Sequence, residues 1–295
     1  MLTPWGDLWV EDAHVHFFSQ QFFSLLVPGM TDAAGRLGWQ QPPDDASGLA
    51  QQWTDELDRH GVSKSVLIAS LPGDAVSVAQ AVASAPSRFY GYYMVNPAGQ
   101  PAEAFPGMKG ICLFPAMHRY GINDETVEPY LQLADRERLV VFVHCGVLTV
   151  GVRKKLGLAS TFDMRYSNPI DLHPVAVAYP SVNFVIPHFG AGYLREALML
   201  ADMCSNVYLD TSSSNSWMRY LGVDLKEVFR RGLAAAGPQR LLFGTDSSYF
   251  PRGWNKAIFN EQVKALVELG ISADEAASIF GANLRRLMNR TEVAV

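Results

Sequence analysis

His14 and His16 stand two residues apart in a β-rich run, DLWVEDAHVHF at 7–17. Side chains at i and i+2 of a strand share a face, so both imidazoles point to the same side, with Asp12 expected on that face one layer below. Alone, the pair also fits hydrogen-bonded core histidines. Three further residues change the reading. His144 ends the run LVVFVHCG, His188 ends SVNFVIPHFG, and Asp246 ends RLLFGTDSS. Imidazoles converging with a carboxylate suit Zn²⁺, Mn²⁺, Co²⁺ or Fe²⁺. A divalent ion held by His14, His16, His144 and Asp246 lowers the pKa of water and polarises a carbonyl. Asp246 is then placed to take a proton from that water, and His188 to act as general acid or base. His60, His118 and His173 fall on helices or loops and read as ordinary surface or rim residues.

These residues converge only if the strands that end in them lie side by side. Eight short β-rich runs recur, at 7–17, 63–70, 88–97, 107–115, 139–146, 181–190, 206–213 and 240–248. Helical stretches alternate with them at 46–60, 73–85, 125–137, 168–179, 191–203 and 223–236, and 254–290 supplies the closing helices. In 46–60, Leu49, Trp53 and Leu57 form one apolar stripe. Strands alternating with crossover helices run parallel, and eight such units close into a (β/α)₈ TIM barrel, whose chemistry sits at the C-terminal ends of the strands. A doubly wound open sheet is disfavoured, because HVHFF stands where its Gly-rich phosphate turn belongs. The expected organisation is one α/β domain over 1–295. Its long first βα loop, 18–45, is either a lid or a surface excursion. Lys109 opens the fourth strand while Phe114 and Pro115 close it, so that lysine cannot bridge two ions and one metal is expected.

Composition narrows the class. The chain has 295 residues, 48% hydrophobic and 18% charged, with net charge −5. This supports a large core and, with no basic run, argues against nucleic acid. Three scattered cysteines, Cys112, Cys145 and Cys204, make no disulfide framework, and a reducing cytoplasm is the expected compartment. The N-terminal segment lacks the basic start and apolar core of a signal peptide. No apolar run reaches the ~18 residues of a membrane span.

Loops on the same rim supply substrate-binding candidates. Arg153 and Arg165 follow the fifth strand, and Arg252 and Trp254 follow the eighth. Arginine pairs with carboxylates in bidentate fashion, which suggests a small anionic, planar substrate; solvated loop arginines are the plainer alternative. Ser212, Ser213, Ser214 and Asn215 end the seventh strand as hydrogen-bond donors or as a tight turn. Cys145 alternates away from the barrel axis and reads as packing.

Seven segments together, DAHVH (12–16), FYGYYMVNP (89–97), MKGICLFP (108–115), VHCG (143–146), PHFGAG (187–192), LFGTDS (242–247) and IFGANLRRL (279–287), resemble the amidohydrolase superfamily. The likeness is to its amidohydrolase-related branch, which includes aminocarboxymuconate-semialdehyde decarboxylase. The resemblance implies that His14, His16, His144 and Asp246 match the metal ligands and His188 the catalytic histidine. It also implies a mononuclear, usually Zn²⁺, centre and a homodimer. The branch divides between hydrolysis of lactones or amides, hydration and non-oxidative decarboxylation. The leading expectation is a metal-dependent hydrolase of a small carbonyl compound. The rival is a carboxy-lyase of a small aromatic or muconate-like acid, and a third reading is an inactive barrel used for binding.

Overall fold

A computed structural model describes residues 1–99, 101–148, 151–212 and 215–289. Behind a small N-terminal hairpin, eight strands follow in order. They are β1 (Val10–His16), β2 (Val62–Ala69), β3 (Phe89–Met94), β4 (Met108–Leu113), β5 (Val140–Val143), β6 (Phe184–Ile186), β7 (Val207–Asp210) and β8 (Leu241–Leu242). Each pairs in parallel with the next. The seam between β1 and the segment leaving β8 is closed by three backbone bonds. The N–H of Ala13 donates to Phe243 O (2.8 Å), that of Asp246 to His14 O (3.0 Å) and that of His16 to Ser247 O (2.7 Å). The result is the (β/α)₈ barrel expected from the alternation of runs.

Two apolar layers hold it. Side chains on one face of the strands, among them Tyr90, Tyr92, Met94, Cys112, Phe142 and Val185, fill the interior, and Leu284, Leu287 and Met288 of the closing helical run plug its floor. Side chains on the other face meet the surrounding helices in a larger cluster. Helix Ala46–His60 shows why it forms. Asp45 caps it, accepting from the Gly48 N–H at 2.6 Å, and Gly61 ends it at φ 67°, where an L side chain is strained. Between these ends Leu49, Trp53 and Leu57 are buried; each large side chain so covered contributes roughly 1.5–3 kcal/mol.

One crossover has no helix among its described residues, and the fold departs from the sequence reading at β1. The crossover from β3 to β4, residues 95–107, carries no helix among the described residues. Pro97, Pro101 and Pro106 remove backbone donors along it, which a helix interior does not tolerate. The register of β1 against β2 also shifts between Asp12 and Val15. This bulge breaks simple alternation: Ala13 packs in the interior cluster, while Asp12 bonds to Trp254, a member of the outer cluster. Asp12 therefore does not lie beneath the histidines.

The long first loop is built rather than loose. It holds helices Gln20–Leu26 and Ala33–Arg36. Its Phe22, Phe23, Val27, Ala33, Ala34 and Leu37 pack with Leu156, from beyond β5, in an apolar cluster of their own. The base of the loop is tied to the barrel by Ser19, which accepts from the Phe22 N–H (3.1 Å) and donates to Asp74 (3.4 Å). Asp74 also accepts from Ser77 Oγ, but its Oδ2 is buried with no partner among the described residues.

Burial raises the pKa of Asp74 from 3.8 to about 7, against the opposing hydrogen bonds from Ser77 and Ser19. The folded protein therefore binds this proton more tightly than the unfolded chain. The neutral carboxyl costs nothing below pH 3.8; stability is lost as pH rises from 3.8 to about 7. The loss is of order a few kcal/mol. The Asp74→Asn variant should escape it. In thermal melts its advantage over the parent protein should widen from about pH 5 to pH 8, whereas a pH-independent gap counts against a neutral Asp74.

Candidate metal centre

His14 and His16 emerge at the C-terminal end of β1, and the segment after β8 brings Asp246 against them across the seam. His14 Nε2 lies 3.3 Å from His16 Nε2. Asp246 Oδ1 lies 3.2 Å from His16 Nε2 and 3.8 Å from His14 Nε2. The three ligand atoms all fall within 4.8 Å of one another. Asp246 holds φ 58°, and His188 φ 55°. Left-handed backbone at non-glycine residues costs about 1–2 kcal/mol and gathers at functional sites.

The orientation of each imidazole is set from behind. His14 Nδ1 lies 2.7 Å from Asp210 Oδ2. Asp210 is fully buried and can only accept, so Nδ1 carries the proton and the Nε2 lone pair faces the cluster. Ser70 Oγ donates to Ile68 O (3.1 Å) and so accepts from His16 Nδ1 at 2.6 Å, leaving Nε2 of His16 free as well. His188 Nδ1 lies 3.1 Å from the carbonyl of Ser212, which fixes a proton there and makes Nε2 the reactive nitrogen. Ser212 Oγ sits between Nδ1 of His14 (3.0 Å) and Nδ1 of His188 (2.9 Å).

Charges follow from this placement. Burial opposes ionisation of Asp246, but His16 and His14 outweigh it and hold its pKa near 2. Burial likewise opposes protonation of His14; Asp210 first, then Asp246 and Asp12, more than offset it and raise its pKa. Asp210 is correspondingly held below the usual carboxylate value by His14, despite burial. Burial keeps His16, His144 and His188 below ordinary imidazole values.

His144 lines the same cavity, stacked on Phe114 with ring centroids 5.1 Å apart, but it stands outside the tight trio. Its Nδ1 is buried without a hydrogen-bond partner among the described residues. An orphaned nitrogen on a ring lining the same cavity as two imidazoles and a carboxylate is a donor a cation would satisfy, so this set fits a divalent metal.

The cavity above these groups has a volume of about 330 Å³, within the range of small-molecule sites. Phe22, Leu26 and Trp39 of the first loop form one wall. Phe18 stacks on His16 at 5.6 Å, Trp39 on Phe18 at 5.5 Å and Tyr249 on Trp39 at 4.3 Å. The Arg252 guanidinium caps this column 4.5 Å above Tyr249 and donates to Asp246 O and Ser248 Oγ. Gly146 permits the loops after β5 and β6 to close on each other, since a Cβ there would lie 2.2 Å from Gly190 O.

The four rim candidates separate. Arg153 lines the cavity, its Nε and Nη2 donating to Ala159 O. Arg252 stands at the end of the aromatic column. Arg165 projects into solvent, 82% exposed and paired with Asp163, and forms no part of the cavity lining. Trp254 requires a correction. It is only 2% exposed and its indole N–H donates to Asp12 at 2.8 Å. The loop after β8 folds back into the outer layer, so this ring contacts no substrate. Ser213 and Ser214 lie outside the described residues, as does the side chain of Asn215. Asp210 and Ser70, which orient the two histidines, were not among the candidates. The signal for Asp210 was its position two residues before Ser212 on one strand face.

The amidohydrolase family model matches residues 12–290. Among curated proteins, the chain is 37% identical over 86 residues to protein fluG of Emericella nidulans; the match covers 29% of this chain and 10% of that protein. The chain thus spans a small part of that relative. Among solved structures it is similar to a probable 2-pyrone-4,6-dicarboxylic acid hydrolase from Acinetobacter baumannii (17% identity, TM-score 0.63, 95% of this chain and 99% of that one). It is similar to a zinc-bound amidohydrolase from Burkholderia multivorans (15%, TM-score 0.65, 95% and 99%). A 5-carboxyvanillate decarboxylase from Novosphingobium aromaticivorans, complexed with manganese and a nitrobenzoic acid, aligns at 15% identity (TM-score 0.63, 96% of each chain). At these identities the structures share the barrel.

Proposed function

Since the chain belongs to the amidohydrolase family, we propose that it is a metal-dependent hydrolase of a small anionic carbonyl compound, a lactone or an amide. The observation that carries this reading is the convergence of His14 Nε2, His16 Nε2 and Asp246 Oδ1, with both imidazoles locked from behind by Asp210 and Ser70. These three, with His144 as fourth donor, would hold one divalent cation, zinc being the natural match for imidazole and carboxylate. Bound there, the cation supplies Lewis acidity and brings the pKa of water towards ~7.

The chain does the rest. Asp246, ionised at any working pH, accepts a proton from the attacking water through its carboxylate. His188 Nε2, neutral because burial lowers its pKa, takes and returns a proton at the departing atom. The apolar walls exclude bulk water, and Arg252, bonded to Asp246 O and Ser248 Oγ, braces the loop that carries the carboxylate.

A carboxy-lyase reading draws support from the aromatic residues Phe18, Trp39 and Tyr249 in the cavity lining, whose ring edges can meet a planar acid. A panel of lactones, amides and aromatic acids assayed in ¹⁸O-water separates the two. Hydrolysis consumes base and places ¹⁸O in the product. Carbon dioxide released without ¹⁸O incorporation overturns the hydrolase assignment.

A further inference from the structure

The cavity has two unlike ends. Its floor holds His14, His144 and His188, all at most 5% exposed, beside Asp246. Its exposed edge includes Gly151 and Lys155 of the short helix Gly151–Lys155 beyond β5. The rest of the lining is largely apolar, with Phe22, Leu26, Met94, Phe114, Met117 and Leu148 prominent. Among the described residues lining the cavity, the lysines and arginines are Arg153 and Lys155, both on that helix. The Arg153 guanidinium already donates twice to Ala159 O. Lys155 is exposed, and its ammonium has no hydrogen bond or ion pair among the described residues.

The next residue, Leu156, is buried in the cluster formed by the first loop. That anchorage ties the helix to the first loop, whose Phe22, Leu26 and Trp39 line the same cavity, and holds Lys155 at the cavity's exposed edge. An anionic group on a ligand therefore has two places to go. It meets the cation at the floor, or it crosses the apolar walls and meets Lys155.

The geometry points to a two-ended substrate: a reacting carbonyl at the histidine floor, an apolar spacer along the walls, and a carboxylate at the far end bound by Lys155. This rests on the metal-dependent reading above and adds the substrate's polarity pattern and the residue that selects it. The contact lies at a solvent-exposed rim, so its contribution is modest and weakens with salt.

The test uses 4-carboxybenzohydroxamic acid and its methyl ester as probes, titrated calorimetrically into the zinc-loaded full chain. The hydroxamate addresses the metal in both, and only the acid carries the distal charge. The acid should bind roughly fivefold more tightly than the ester, a difference that shrinks as salt is raised. Lys155→Met should abolish the preference while leaving ester affinity unchanged, and Arg153→Met should keep it. Equal binding of the two probes, or a preference that survives Lys155→Met, overturns the assignment. Failure of both probes to bind removes the metal-centred reading itself and this proposal with it.

Discussion

Replacing Asp246 by alanine should strip the protein of its metal and lower kcat/KM by roughly 10³-fold or more. The carboxylate is the only anionic member of the trio, 3.2 Å from one imidazole and 3.8 Å from the other. Without it two buried imidazoles face each other at 3.3 Å, and protonation of either opposes cation binding. Asp210→Asn should act by degrees instead. The amide can still accept from His14 Nδ1, but it loses the charge that makes the ring a stronger donor, and metal affinity should fall about 10–100-fold. Elemental analysis after dialysis and titration against a competing chelator measure both variants. Stoichiometric metal retained by Asp246→Ala would exclude the trio as the centre.

The second large effect belongs to His188. His188→Asn should lower kcat by roughly 10²–10⁴-fold with metal content unchanged. Asparagine is the informative substitute because it tolerates left-handed backbone, which the φ of 55° at this position requires. Its amide can also donate to the carbonyl of Ser212, so the turn survives while the imidazole Nε2 is lost. Melting temperature and metal content serve as controls. A variant that keeps parental kcat assigns His188 to structure alone.

Local patterns foretold much of this architecture. Buried parallel strands are short and rich in β-branched and aromatic residues, so all eight could be read directly. Histidines at i and i+2 mark a common face, and Asp246 ends a run that could equally have ended in serine. What escaped local reading depends on loop direction or irregularity. Trp254 follows a strand end, yet only the folded loop reveals that it turns outward to Asp12. Arg165 follows β5, and its pairing with Asp163 takes it into solvent. The bulge in β1 leaves no mark in composition, so Asp12 was assigned to the wrong layer. His144 does occupy the expected strand end, in the same cavity as the trio and stacked on Phe114.

The hydrogen bonds that close the barrel are made by the same residues that assemble the trio: His16 N–H to Ser247 O and Asp246 N–H to His14 O. Thr245 and Asp12, which bond across this seam, are 233 residues apart in sequence. A nascent chain leaving the ribosome therefore displays His14 and His16 long before it contains their carboxylate partner. Two imidazoles alone make an incomplete site, so a cation held by all three would be captured only once the last strand docks against the first. Metal retention would then report that the barrel has closed.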